Sequence, residues 1–332
     1  MKKVFLISRT DSIGDVILTL PMAGLIKEKY PNSYIIFLAR NYTKPVVDLC
    51  ENIDLFLSWD EIESIGEGDQ IERFKSFKID TFIHVFPNKQ IARLAKYAKI
   101  PNRIGTLHRS FHWFTCNKLL NFGRKNSNLH EAQLNIKLLK TMGITGEYPL
   151  SEIEKYYGFT AVKPLAKKFE SLLDQEKYNL IIHPKSKGSA VEWGSENFSK
   201  LIKLLPKDRV KIFISGTSEE GSMIKESLID KHPDVCDITG IMNLDEFISF
   251  IAHADGLLAA STGPLHIAAA LGKNAFGLFA PIRPIFPQRW APIGKNIHVF
   301  VSKRNNNHQD AKKYISEIKV VDVKEEILKS FK

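Results

Sequence analysis

The chain has 332 residues, 47 Lys and Arg against 37 Asp and Glu for a formal net charge of +10, 44% hydrophobic and 25% charged residues, and three cysteines. This composition excludes a disordered or fibrous chain, and at roughly 150 residues per domain the length predicts two domains, each able to bury its own core. Cys50, Cys116 and Cys236 are far apart and lack CxxC spacing, which excludes a disulfide framework, gives no support to a zinc knuckle and fits a reducing compartment.

The chain opens on Val4-Phe5-Leu6-Ile7, an apolar run too short for a secretory signal, so the protein is expected to stay in the cytoplasm. Short β-rich runs then alternate with helical patterns. Val4–Ser8 is followed by a helix over 16–29, Tyr34–Ala39 by a short helical stretch, and Thr81–Val85 by a helix over 90–99. Parallel strands need crossover helices, so this alternation predicts an open, mostly parallel sheet with helices on both faces. A helix over 130–142 ends at Gly143. After a Lys/Glu/Tyr-rich stretch the pattern restarts, with strands at Leu180–His183, Val210–Ser215, Gly256–Ala260 and Ala275–Phe279 and helices over 196–205 and 244–254. Two α/β domains are therefore expected, 1–158 and 159–332, with ligands held in a cleft at the carboxyl ends of their strands. The last helix, over 323–331, is open to packing on either domain. The longest apolar stretch, 254–282, is broken by Ser261, Thr262, His266, Lys273 and two glycines, short of the ~18 uninterrupted apolar residues of a membrane span.

The positive charge is concentrated. Residues 81–140 contain eleven Lys and Arg and a single acid, Glu131. Such a field selects an anionic partner such as a phosphorylated glycolipid, an acidic sugar or a membrane surface. Nucleic acid is disfavoured, because no RNP-type aromatic motif, zinc finger or continuous basic helix accompanies the charge.

Four loops after strands carry candidate chemistry. The first, Ser8-Arg9-Thr10-Asp11-Ser12-Ile13-Gly14-Asp15, lacks the glycines of a GxGxxG dinucleotide turn. It offers instead Asp15 at a helix start, read either as a helix cap or as a general base, with Asp11 a second carboxylate. The second, Ala260-Ser261-Thr262-Gly263-Pro264-Leu265-His266, leads a strand into a helix whose free N–H groups suit a diphosphate, with the Thr262 hydroxyl and His266 able to donate. The third, His183-Pro184-Lys185-Ser186-Lys187-Gly188, brings two lysines that either neutralise phosphate or are simply solvated. In the fourth, Ser215-Gly216-Thr217-Ser218-Glu219-Glu220, an acid either accepts ribose hydroxyls or favours the helix dipole. No DxD, HExxH, GxSxG or Walker A pattern occurs, so metal-anchored nucleotide binding, zinc hydrolysis, serine-hydrolase and P-loop chemistry lose support.

Arg9-Thr10-Asp11-Ser12-Ile13-Gly14-Asp15-Val16-Ile17-Leu18-Thr19-Leu20-Pro21 and Ser261-Thr262-Gly263-Pro264-Leu265-His266-Ile267-Ala268-Ala269-Ala270-Leu271-Gly272 resemble the two signatures of glycosyltransferase family 9, the ADP-heptose:lipopolysaccharide heptosyltransferases. The resemblance implies a GT-B fold, two Rossmann-like domains with the acceptor on the first and the nucleotide sugar on the second. It also implies metal-independent transfer with inversion and no cofactor beyond the nucleotide-sugar co-substrate, an ADP-heptose or a related ADP-, GDP- or UDP-sugar. Asp15 matches the family's catalytic aspartate; Thr262, Gly263 and His266 match its diphosphate turn. Lys185 or Lys187 resembles its phosphate lysine, Glu220 its ribose-binding acid, and Met242 lies where the family lines the base pocket. Arg9, Ser12, Gly14 and Arg103 are expected to face the acceptor, an anionic lipopolysaccharide-core glycan met by peripheral contact at the cytoplasmic face of the inner membrane. Many members have Asp where this chain has Ser261, which motivates a second reading, a nucleotide-sugar-binding protein without transfer activity.

Overall fold

The structure, a computed structural model, describes residues 2–125, 127–303 and 311–331. The chain divides into two compact units, Met1–Ala161 and Val162–Lys332. The division falls after Ala161 because the preceding residues are tied to the first unit. Cys50 and Phe159 form an antiparallel bridge, and the N–H groups of Thr160 and Ala161 both bond to the Leu49 carbonyl.

The first unit holds β1 (Val4–Ser8), β2 (Tyr34–Ala39), β3 (Leu55–Ser58), β4 (Thr81–His84), β5 (Asn102–Thr106) and β6 (Lys118–Leu120), all parallel, in the order β3-β2-β1-β4-β5-β6. The second holds β7 (Tyr178–His183), β8 (Val210–Ile214), β9 (Cys236–Asp237), β10 (Gly256–Ala260), β11 (Asn274–Phe279) and β12 (Ile297–Val301), again parallel, in the order β12-β11-β10-β7-β8-β9. Counted outward from its own first strand, each sheet has the same order. The winding therefore reverses between β1 and β4 in one unit and between β7 and β10 in the other. At such a switch point the connections leave in opposite directions and open a crevice beyond the strand carboxyl ends.

The helices that matter for the site are α1 (Ile13–Ile17), α2 (Pro21–Lys29), α3 (Lys89–Tyr97), α4 (Ser110–Thr115) and α5 (Glu131–Ile136) in the first unit. In the second they are α6 (Ser195–Leu204), α7 (Ser218–Ile224), α8 (Leu244–His253), α9 (Gly263–Ala270) and α10 (Val320–Lys329). The single helix expected over 16–29 is two, because Pro21 has no N–H to donate and begins a new helix at its first turn. The helix expected over 130–142 is α-helical only to Ile136, then tightens into a 3₁₀ stretch that ends at Gly143, whose φ of 75° is left-handed. Helix α10 packs on the second unit, where Val323 and Ile327 are fully buried with Phe198 and Leu201 of α6. Helix α9 is built of small residues because backbone crosses it closely; a Cβ on Gly294 would stand 2.3 Å from the Ala269 carbonyl oxygen. Among the described residues no helix is long and apolar enough to cross a membrane.

Candidate active site

The loop leaving β1 at the first switch point carries Arg9, Asp11, Ser12, Gly14 and Asp15 together. Ser12 is the N-cap of α1 and Asp15 lies in its first turn, not at the cap. The carboxylate is held from two sides. One oxygen accepts from an Arg9 Nη, and the other accepts from the Ser12 hydroxyl at 2.5 Å. A carboxylate engaged this way is positioned by side chains and keeps part of its surface open to a reactant, which a carboxylate folded onto backbone N–H groups would not.

Arg9 organises the loop. Only 3% of its surface is exposed, and its guanidinium reaches three acids: Asp15, Asp11 at 2.7 Å and Glu131 at 3.2 Å. Burial works against the charge, but the three carboxylates outweigh it and raise the arginine's hold on its proton above the ordinary value. Arg9 therefore holds the candidate base, and its guanidinium is engaged by these three acids. Glu131, itself 1% exposed, also takes an Nη of Arg124. Asn135 accepts from Arg124 at 2.8 Å and donates to the Leu18 carbonyl and the Thr19 hydroxyl, and that hydroxyl donates to the Asp15 carbonyl. The helix α5 is thus a rear support for α1. Arg103 has a structural role, turning its guanidinium onto the carbonyls of Ile100 and Thr115. Ser12 remains exposed.

Asp11 is pushed up to about 6, chiefly by burial and further by Asp15, with Arg9 opposing. A raised folded value means that the fold holds a proton which the unfolded chain releases near pH 4. The stabilisation is complete below that pH and disappears as pH rises through about 6. On going from about pH 4 to pH 7 the wild type should lose up to about 3 kcal/mol relative to Asp11→Asn, read from urea midpoints across the pH series. Parallel curves for the two proteins would refute the assignment.

At the carboxyl end of β4 the structure brings His84, His112 and Cys116 together, all buried, which their positions in the sequence did not show. His84 Nε2 accepts from the Asn88 N–H at 3.0 Å, and its Nδ1 meets His112 Nε2 at 2.8 Å. His112 Nδ1 in turn lies 3.0 Å from the Thr106 carbonyl. Because His84 Nε2 accepts from Asn88, a neutral pair has His84 donating to His112 and His112 Nδ1 donating to the Thr106 carbonyl, with the Thr106 N–H 3.1 Å from the same nitrogen. Burial lowers both rings below the ordinary histidine range and keeps the pair neutral.

In the second unit the candidates lie on the loops after four neighbouring strands, β10, β7, β8 and β9. Thr262 is the N-cap of α9, with Pro264 in the first turn. The Thr262 hydroxyl is buried and has no hydrogen-bond partner among the described residues. The N–H groups of Gly263 and Leu265 are orphan donors of the first turn. His266 is 3% exposed. Ser261 leans its hydroxyl toward the Trp290 carbonyl, 3.5 Å away.

On the loop after β7, Lys185 pairs with Glu192 at 2.5 Å, whereas Lys187 is exposed on a left-handed turn with φ 47°. Of the two, Lys187 has the charge that no carboxylate among the described residues matches. His183, at the end of β7, contacts the Ser215 hydroxyl at 3.0 Å. Its pKa is lowered to about 4 by burial, partly offset by Glu220 and Glu192. Glu220 is buried and closes a capping box with Thr217, accepting the Thr217 N–H at 2.8 Å. The turn before Met242 is bound to this helix start: Gly240 donates to the Gly216 carbonyl, and its left-handed φ of 69° lets it approach Ser218 where a Cβ would stand 2.8 Å from another Cβ. Half-buried Met242 then precedes Asn243, the N-cap of α8. Glu131, Arg124 and Asn135 are the supporting residues that motif reading missed.

Known proteins share this architecture. Residues 75–320 match the family model described as glycosyltransferase family 9 (heptosyltransferase). The chain is 24% identical over 328 residues to the lipopolysaccharide heptosyltransferase 3 of Escherichia coli, covering 93% of each. Its fold superposes on a glycosyl transferase family 9 structure from Veillonella parvula with TM-score 0.79, 18% identity and coverage of 99% and 97% of the two chains. It superposes on the E. coli ADP-heptose lps heptosyltransferase II with TM-score 0.75, 16% identity and coverage of 99% and 98%. Two six-stranded parallel sheets of the GT-B type and a family match over most of the length lead to one assignment: the chain is an enzyme belonging to glycosyltransferase family 9, the heptosyltransferases.

Proposed function

We propose that the protein transfers a heptose or related sugar from an ADP-linked donor to a lipopolysaccharide-core acceptor, with inversion and without a metal ion. The observation that carries this reading is the state of Asp15, a carboxylate fixed by Arg9 and Ser12 in the first turn of a helix at a switch point. In the reaction the acceptor hydroxyl gives its proton to Asp15 as its oxygen attacks the anomeric carbon. The bond from that carbon to the diphosphate oxygen breaks, and the nucleoside diphosphate leaves with the electron pair. Charge then accumulates on the diphosphate. Donors fixed in advance meet it: the Gly263 and Leu265 N–H groups, the helix dipole, the Thr262 hydroxyl and Lys187. Glu220 and the Met242 turn are the natural neighbours of the nucleoside. With Ser261 in place of an acid, the donor sugar is read with one carboxylate fewer, which favours a sugar that does not need that contact.

Donor identity is tested by thermal shift with ADP-, GDP- and UDP-sugars. An ADP-sugar at about 100 times its Kd adds about 2.7 kcal/mol and raises Tm by several degrees, while the other two leave it unchanged. The diphosphate turn is tested by Thr262→Val. This change keeps the shape and deletes a hydroxyl that has no partner among the described residues, so stability stays equal or rises by about 1 kcal/mol, while the donor KM rises on the order of tenfold. A Val variant with native donor KM would remove Thr262 from the site.

A further inference from the structure

The short helix α4 presents two faces. His112 and Thr115 are buried, while Trp113 is 59% and Phe114 72% exposed, the largest exposures among the exposed aromatic side chains of the described residues. Leu107, 39% exposed, adjoins them, because the Trp113 indole N–H donates to its carbonyl at 2.8 Å. That bond fixes the indole in place. It also satisfies the ring's one donor internally, so the ring can leave water without leaving a polar group unpaired. The surroundings are cationic. From Pro101 to His130 the chain has five Lys and Arg and no Asp or Glu; Arg103 and Arg124 turn inward onto protein partners, which leaves Arg109, Lys118 and Lys125. A cavity of about 410 Å³ is lined by His108, two residues before the helix, and by Phe122, Lys125 and Lys137 among others. His108 is joined to this loop by packing against Gly123.

We propose that Leu107, Trp113 and Phe114 are a docking element for an anionic phospholipid bilayer. Trp113 and Phe114 enter the interfacial layer, Arg109 and Lys118 meet the surface charge, and the cavity at Lys125 and Lys137 takes a phosphate headgroup. Rigid aromatic side chains bordered by cations are suited to a surface that is apolar below and negative above. A second copy of the chain is a poor occupant, since each copy would bring the same positive segment to the contact. The proposal rests on the glycolipid-acceptor reading, because such an acceptor is embedded in this kind of surface.

The test uses full-length protein and vesicles of phosphatidylglycerol with phosphatidylethanolamine, compared with phosphatidylcholine alone. Wild type should bind the anionic vesicles at least about tenfold more tightly, lose binding as salt is raised, and show a blue shift of tryptophan emission. The double variant Trp113→Ser/Phe114→Ser should bind them about tenfold more weakly, yet transfer sugar to a deacylated, water-soluble acceptor at the wild-type rate, which also shows that it is folded. Trp113→Phe should bind vesicles without the blue shift. Native vesicle binding by the double variant, absence of any preference for anionic lipid, or a wild-type dimer that the double variant dissociates would each overturn the proposal. A wild type that binds vesicles but transfers to no acceptor, embedded or soluble, would overturn the glycolipid reading and leave the docking element standing.

Discussion

Asp15→Asn is expected to leave a folded protein that binds its nucleotide sugar with near-native affinity and transfers the sugar roughly 10²–10⁴ times more slowly. Asn has the same shape and still accepts from Ser12, so α1 keeps its start. It cannot take the acceptor's proton at any pH in the working range, and the attacking oxygen must then carry that proton into the transition state. In the proposed reading the donor is bound through Thr262, Gly263 and the other second-unit residues and makes no use of the substituted group. The loss therefore falls on kcat with little change in donor KM, the pattern of an interaction made only in the transition state. Single-turnover rates and a circular-dichroism melt run together decide the matter. A well-folded Asn variant within tenfold of the wild-type rate would assign proton removal to another group, and Asp11 would be the next to examine.

The architecture was legible wherever strands are central. Val4–Ser8, Tyr34–Ala39 and Gly256–Ala260 were read to the residue, because strands buried on both faces of a parallel sheet are unbroken apolar runs. The strands that went unread, β3, β5, β6, β9 and β12, lie outside the central pairs of their sheets. β5 reads Asn-Arg-Ile-Gly-Thr and β6 only Lys-Leu-Leu. A strand half covered by its neighbours can carry polar residues, and its pairing is set by tertiary packing that local periodicity does not record.

The candidate site was legible as motifs but not as a network. Asp15, Thr262 and His266 stand out because turn chemistry and small residues surround them. Glu131 was visible in another way, as the single acid among eleven cations from 81 to 140, and the structure gives the reason: it is buried between Arg124, seven residues away, and Arg9, 122 residues away. Sequence spacing carries no sign of such a contact. Nor could it distinguish Lys185 from Lys187, since only the fold places Glu192 against the first.

Arg9→Ala should be the most destabilising single change in the first unit. Its guanidinium is the shared counterion of Asp11, Asp15 and Glu131, and without it three carboxylates converge, Glu131 keeping its pair with Arg124. Removing one partner from a buried ion cluster costs about 3–5 kcal/mol, because the charges left behind lose their shared counterion where little water reaches them. The fold can relieve that repulsion by binding protons, so the deficit relative to wild type should deepen as pH rises from about 5 to 8. Arg9→Lys separates charge from geometry. It restores a cation but not the fork that reaches several carboxylates at once, so it should recover much of the stability while kcat stays low and donor KM stays native. Denaturant midpoints and transfer rates for the two variants across that pH range test both parts. A stable Arg9→Ala protein with a flat pH dependence would show that the acids are held apart by something other than this arginine.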